Sequence, residues 1–96
     1  MYARITTYRI DTGKFDEVQA LVEEFKPEIM ALPGIKYWLS TANEDGSCAS
    51  IAVYESEEAA AAALSGASSI LGRLAEYIES EPQPQGYHVF LHGVNP

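Results

Sequence analysis

The sequence predicts an α+β fold with elements in the order β-α-β-β-α-β, the strands forming one four-stranded antiparallel sheet and the helices lying on a single face of it. Three observations carry that prediction. Residues 2–10 and 87–93, at the two ends of the chain, alternate apolar and polar side chains, the period-two pattern of a half-buried strand. Residues 35–55 hold two more such runs, split by the turn residues "NEDGS", which is a hairpin pattern. The two remaining stretches carry apolar residues every three or four positions, as one face of a helix requires.

The first strand, "YARITTYRI" (2–10), is rich in Ile, Thr and Tyr, residue types that suit a pleated surface. Ala3, Ile5 and Thr7 share one side, and Tyr2, Arg4, Thr6 and Tyr8 share the other, because successive side chains alternate across a strand. "DTG" breaks the strand and offers Asp11 or Thr12 as a helix cap. From Lys14 to about Ala31 the residues Phe15, Val18, Leu21, Val22, Phe25 and Ile29 form a helical stripe. Pro27 should kink or restart that helix, and "LPG" (32–34) ends it.

"IKYWLSTA" (35–42) places Ile35, Tyr37 and Leu39 on one side of a second strand and Lys36, Trp38 and Ser40 on the other. "CASIAVYE" (48–55) places Ala49, Ile51 and Val53 on its apolar side and Cys48, Ser50, Ala52 and Tyr54 opposite. Ser56 caps "EEAAAAAL", whose alanines favour helix. "SGASS" interrupts that helix, and Ile70, Leu71, Leu74 and Ile78 resume its stripe to about Ser80. "EPQPQG" reads as a loop, and 87–93 as the fourth strand. Two crossover helices and one hairpin are the ingredients of a ferredoxin-like sheet. The whole chain, 1–96, reads as one such domain.

Composition narrows the function classes. The 96 residues include 14 acidic and 6 basic ones, a net charge of −8. Nucleic-acid binding depends on Lys and Arg neutralising phosphates, so no nucleic-acid partner is expected. An anionic membrane surface is excluded on the same ground. No apolar run reaches the length of a membrane span, and the start lacks the pattern of a signal peptide, so a cytoplasmic protein is the default. The single cysteine, Cys48, excludes an internal disulfide and fits a reducing compartment.

Helices on one face leave the other bare. The aliphatic side, with Ile5, Leu39, Ile51, Val53, Val89 and Leu91, is the expected helix-covered face. The bare face then carries Tyr2, Arg4, Tyr8, Lys36, Trp38, Cys48, Tyr54, His88, Phe90 and His92. Five of these ten are Tyr, Trp or Phe, a surface that marks an interaction site. The expected partner is a second copy of the chain, pairing sheet to sheet as a homodimer.

The element order, "LPGIKYW" leading into the second strand and "YESEEAAAAAL" after the third resemble the antibiotic biosynthesis monooxygenase family of the dimeric α+β barrel superfamily. The resemblance covers nearly the whole chain. It implies a homodimeric barrel with a pocket between sheet and helices or between the sheets. It further implies a monooxygenase that oxidises flat polycyclic aromatic or quinol compounds with O₂ and no metal or flavin. Relatives degrade haem, isomerise small lactones or have no known activity. The family's helix-two histidine, near a His-Leu-x-Ser pattern, is replaced here by the stretch Ala63, Leu64, Ser65. The haem-degrading branch pairs such a histidine with an Asn on strand one, where this chain has Thr6 and Thr7. Haem degradation is therefore not implied, and no catalytic residue carries over by motif.

The candidate site follows from the expected faces. His88 and His92 are the candidate catalytic bases, because histidine titrates near neutral pH and can ionise a phenol. Arg4, Tyr8, Trp38, Tyr54 and Phe90 are the candidate substrate contacts, the rings as flat walls and Arg4 as a holder of carbonyl or phenolate oxygen. His88 and His92 have Cα atoms about 13 Å apart on a strand, too far to share one metal ion, and no cofactor is expected. Equally, the histidines could bond across the dimer and the aromatics fill its core. A non-catalytic ligand-binding or dimerisation module, or a small-ring isomerase, stands as the alternative function.

Overall fold

The alternation in residues 2–9 is realised as β1 (Tyr2–Arg9), and the helical stripes as α1 (Phe15–Met30) and α2 (Glu57–Gly72). The hairpin is β2 (Ile35–Ala42) and β3 (Ser47–Tyr54), and the chain closes with β4 (Gln83–His88). The computed structural model describes residues 1–96. The sheet order is β2-β3-β1-β4, with every neighbouring pair antiparallel. This is the α+β, ferredoxin-like arrangement with two crossover helices. No helix is long and apolar enough to cross a membrane.

Local chemistry explains the boundaries. The Asp11 carboxylate accepts the Gly13 N–H at 2.9 Å, starting a short 3₁₀ turn that leads into α1. The Ser56 Oγ accepts the Ala59 N–H at 3.0 Å and caps α2. Pro27 does not end α1, which runs on to Met30. "SGASS" does not interrupt α2, which is continuous from 57 to 72. Its small residues serve packing instead: a Cβ on Gly66 would come within 2.9 Å of Leu32 Cδ2. At its C-terminal end, the Arg73 guanidinium lies 4.4 Å over the Phe25 ring and bonds Glu28, tying α2 to α1.

The fourth strand starts four residues earlier than its alternation suggests and ends five earlier. Gln83 to His88 pair with Thr7 to Tyr2, so "QPQG" is strand and not loop. The sheet order makes β4 an edge strand, where alternate N–H groups point outward and a proline such as Pro84 is tolerated. Val89 adds one more bond, from its N–H to Met1 O at 3.0 Å. Phe90, Leu91 and His92 lie beyond the strand, and Phe90 is 89% exposed.

The larger correction concerns which face the helices cover. Tyr8, Cys48 and Tyr54, expected on the bare face, are buried under the helices. Tyr8, Ile10 and Cys48 pack with Val18 of α1, and Tyr54 packs with Ala60 and Ala63 of α2. Trp38 packs against Phe25, Ile29 and Leu74. The helix-covered face is therefore the Tyr2, Arg4, Thr6, Tyr8 side of β1. Alternation tells which residues share a side, but it does not tell which side faces the helices. Because α2 meets the sheet through alanines, only long sheet side chains can span the gap, and the aromatic side supplies them.

The bare face is the aliphatic one. By register it holds Ala3, Ile5 and Thr7, Tyr37, Leu39 and Thr41, Ala49, Ile51 and Val53, and Gln83, Gln85 and Tyr87. Not one of these is charged. Lys36 also leaves its expected place, since a register shift between Ile35 and Tyr37 takes it out of the alternation. Its ammonium lies 3.9 Å from Glu55 in an exposed ion pair.

Candidate functional site

Between the sheet and the two helices lies a cavity of about 610 Å³. Its origin is the mismatch just described: small residues on the facing side of α2 leave space that the sheet's side chains only partly fill. The sheet side of the cavity is built from Arg4, Thr6, Tyr8, Trp38, Ser40, Ser50, Ala52 and Tyr54. Phe25 and Ile29 of α1 and Leu64, Ile70 and Leu71 of α2 form apolar walls. The exposed residues Glu79, Ser80 and Glu81 line it where the chain leaves α2 for β4. The volume suits a small ligand of several rings, and the lining mixes flat apolar walls with a few polar groups, as ligand sites do.

The polar groups are organised by register. Ser40, Ser50 and Thr6 stand in one row across β2, β3 and β1, and Trp38, Ala52 and Arg4 in the next. The Trp38 Nε1–H donates to Ser50 Oγ at 3.3 Å, which fixes the indole against the sheet. Arg4 Nη2 donates to the Ala60 carbonyl at 2.6 Å, and the guanidinium carbon sits 5.4 Å from the Tyr54 ring centre. Arg4 Nη1 and the Tyr54 hydroxyl are both shielded from solvent and have no hydrogen-bond partner.

Burial sets the acid–base character. Desolvation pushes the Tyr8 hydroxyl above the usual phenol range, against the lowering effect of Ser40. It pushes Tyr54 the same way, with the Arg4 charge opposing. Both phenols thus keep their protons at neutral pH and act as donors rather than bases. Burial likewise raises the Cys48 thiol, so it is not an activated nucleophile. A smaller cavity of about 400 Å³ lies under α1 and shares Tyr8, Val22, Trp38 and Ser40 with the larger one.

The structure brings Arg4, Tyr8, Trp38 and Tyr54 to one cavity, on the opposite side of the sheet from the one expected. It does not bring His88, Phe90 or His92 there, since none of the three lines either cavity. His88 stands at the sheet edge, exposed, with its ring edge-on to Tyr2 at 5.0 Å and Nε2 3.5 Å from Glu57. The His92 ring lies 5.3 Å from Tyr37, past the end of β4. The misplacement follows from the fourth-strand error, because a strand at 87–93 would have set both rings on one face. Thr6, Ser40 and Ser50 complete the polar lining, and their parity with Arg4, Trp38 and Tyr54 is the signal in the sequence that points to them.

No protein-family model matches the chain, and no curated protein matches it by sequence. Solved structures do match. A protein of unknown function from Nitrosomonas europaea, NE2512, superposes with a TM-score of 0.81 at 13% identity, over 99% of this chain and 94% of that one. SnoaB, a cofactor-independent oxygenase from Streptomyces nogalater, gives 0.76 at 15% identity, over 95% and 94%. An antibiotic biosynthesis monooxygenase gives 0.76 at 12% identity, over 95% and 100%. The resemblance read from the sequence thus holds at the level of tertiary structure: the chain has the fold of the antibiotic biosynthesis monooxygenases.

Proposed function

We propose that this protein is a monooxygenase-like enzyme that binds a flat phenol or quinol in the cavity between sheet and helices and needs no cofactor. The observation that supports this reading is the cavity itself, about 610 Å³ with Tyr8, Trp38 and Tyr54 set beside Arg4. Fold alone does not carry a reaction. The likeness to SnoaB, a cofactor-independent oxygenase, supplies the reaction type by analogy. In such a reaction a phenol with a free para carbon takes up O₂. One oxygen atom becomes the new carbonyl, the other leaves as water with the hydroxyl and ring hydrogens, and the substrate supplies all the electrons. The protein's share is to hold the ring flat, exclude water and stabilise the ionised oxygen.

One observation favours the alternative, a non-catalytic binding module: neither histidine lines the cavity. A single experiment separates the two. Trp38 is the only tryptophan, so its fluorescence reports occupancy while an electrode follows oxygen. Quenching by fused-ring phenols with oxygen uptake matched by quinone formation is the expected result. Quenching without uptake would leave a binding module, and no quenching by any flat phenol would end both readings.

We also propose that the protein is a homodimer through the bare sheet face. The support is chemical: twelve neighbouring positions carry no charge in a chain with 20 charged residues. Tyr37, Leu39 and Tyr87 stand 44%, 49% and 51% exposed on that face, and a second copy would bury them.

A further inference from the structure

We infer that the smaller cavity under α1 is a second compartment of the binding site, and that it takes an unbranched alkyl chain carried by the ring ligand. The inference rests on the reading of the larger cavity above and adds a substituent and its length to the ligand.

The smaller cavity arises from short side chains at an edge of the sheet. β2 is an edge strand, and beyond Trp38 its helix-facing positions are Ser40 and Ala42, in register with Ser50 and Cys48. The residues that α1 sets across from them, Val18 and Val22, are short as well, and a space of about 400 Å³ remains. Its floor includes Ile10, Val18 and Cys48, which are among the most buried residues of the chain. Phe15, at the start of α1, lines it while 44% exposed. Protein interiors leave few such spaces, and accessible apolar surface of this kind marks a binding site.

Continuity and chemistry together say what fills it. Tyr8, Trp38 and Ser40 of the sheet and Val22 of α1 line both cavities, so the two spaces meet at a neck of these four side chains. Two of the four are aromatic and one is β-branched, which favours a slender substituent over a second ring system. Beyond the neck the donors are engaged. Thr41 Oγ1 donates to the Ala49 carbonyl at 2.9 Å, and the Cys48 thiol to the Gly46 carbonyl at 3.6 Å. Glu23 and Lys26 line the space from exposed positions, and their opposite charges select neither sign. Ligand sites hold polar substituents with converging polar groups, and past the neck only the exposed Gln19 is left to do so. An aliphatic chain needs none. Its length follows from the strand: at about 3.3 Å per residue, the run from Trp38 to Ala42 measures about 13 Å, room for an extended chain of about eight to ten carbons.

The test titrates the intact protein with 2-naphthol and its 6-alkyl derivatives, methyl to dodecyl, and follows Trp38 quenching. Each methylene should tighten binding about twofold to fourfold. The gain should stop at about eight to ten carbons, where the chain leaves the mouth. Ala42→Phe and Gln19→Phe each narrow the smaller cavity alone, from exposed positions that do not line the larger one. Both should weaken the hexyl derivative about tenfold or more and leave 2-naphthol within about twofold. Should one variant fail to fold, the other decides. If 2-naphthol binds and chain length brings no gain, or if the variants keep the full advantage of the hexyl chain, the inference falls and the reading of the larger cavity stands. A gain that continues undiminished to the dodecyl derivative is unspecific apolar adsorption and also overturns it. A gain that appears only on dilution would give the space to a second copy of the chain, with the same consequence. If neither 2-naphthol nor any derivative quenches Trp38, both readings fall.

Discussion

Replacing Tyr54 with Phe should stabilise the unliganded protein. Tyr54 is wholly buried, its ring packed on Ala60 and Ala63 and its hydroxyl unpaired. A buried donor left unsatisfied costs about 1–3 kcal/mol. Phenylalanine keeps the ring and removes that penalty, losing only a few dispersion contacts of about 0.1–0.2 kcal/mol each. The net gain is about 0.5–2.5 kcal/mol. At about 4–8 °C per kcal/mol for a domain of this size, a mid-range gain of about 1.5 kcal/mol raises Tm by roughly 6–12 °C. The assay is thermal and urea denaturation followed by circular dichroism, near neutral pH and at one protein concentration. Tyr8→Phe is the control: its hydroxyl is not among the shielded groups without a partner, so its removal should bring no such gain. A Tm for Tyr54→Phe equal to or below the wild type would show that the hydroxyl is bonded in solution, and the reasoning from an unpaired buried donor would fall.

Gly34→Ala should destabilise strongly, because Gly34 has φ +70° and a Cβ there would lie 2.5 Å from that of Ala59. Left-handed strain and overpacking together amount to about 2–5 kcal/mol by urea denaturation, whereas Gly72→Ala, with open space around it, should not destabilise. Ile51→Asp puts a charge at the centre of the bare face, opposite Ile5 and Leu39; light scattering should show a monomer, and a persisting dimer would move the interface elsewhere. Alkaline pH should unfold the protein through Tyr8 and Tyr54, both raised from 10.0 by burial. The folded state holds those protons longer than the unfolded one, so this stability is complete below about pH 10 and is lost as pH rises through the folded values. The double variant Tyr8→Phe, Tyr54→Phe should show a flatter decline in urea stability over that range. His88→Gln should leave ligand affinity within about twofold, since His88 sits in an exposed pair with Glu57 that contributes little; a tenfold loss in the Trp38 quenching titration would bring His88 into the site.

Much of this molecule is determined locally. Period-two runs and helical stripes in the sequence give the element order, and Ser56 marks the start of α2 where its side chain caps it. Parity within each strand groups Arg4, Tyr8, Trp38 and Tyr54 on one side, and that grouping survives intact as the cavity's sheet wall. The fate of this group was not local. Alternation is symmetric: it separates two faces of a strand and is silent on which one meets the helices. That is decided by how the crossovers bring α1 and α2 over the sheet and by how far side chains must reach across the gap. The position of β4 was hidden for a related reason. "QPQG" has neither the alternation nor the residue types of a strand, and it becomes one because the open edge of β1 offers hydrogen-bond partners from Thr7 to Tyr2. Edge pairing is a property of the neighbouring strand, and it carried His88 and His92 away from the cavity that the rest of the sheet built.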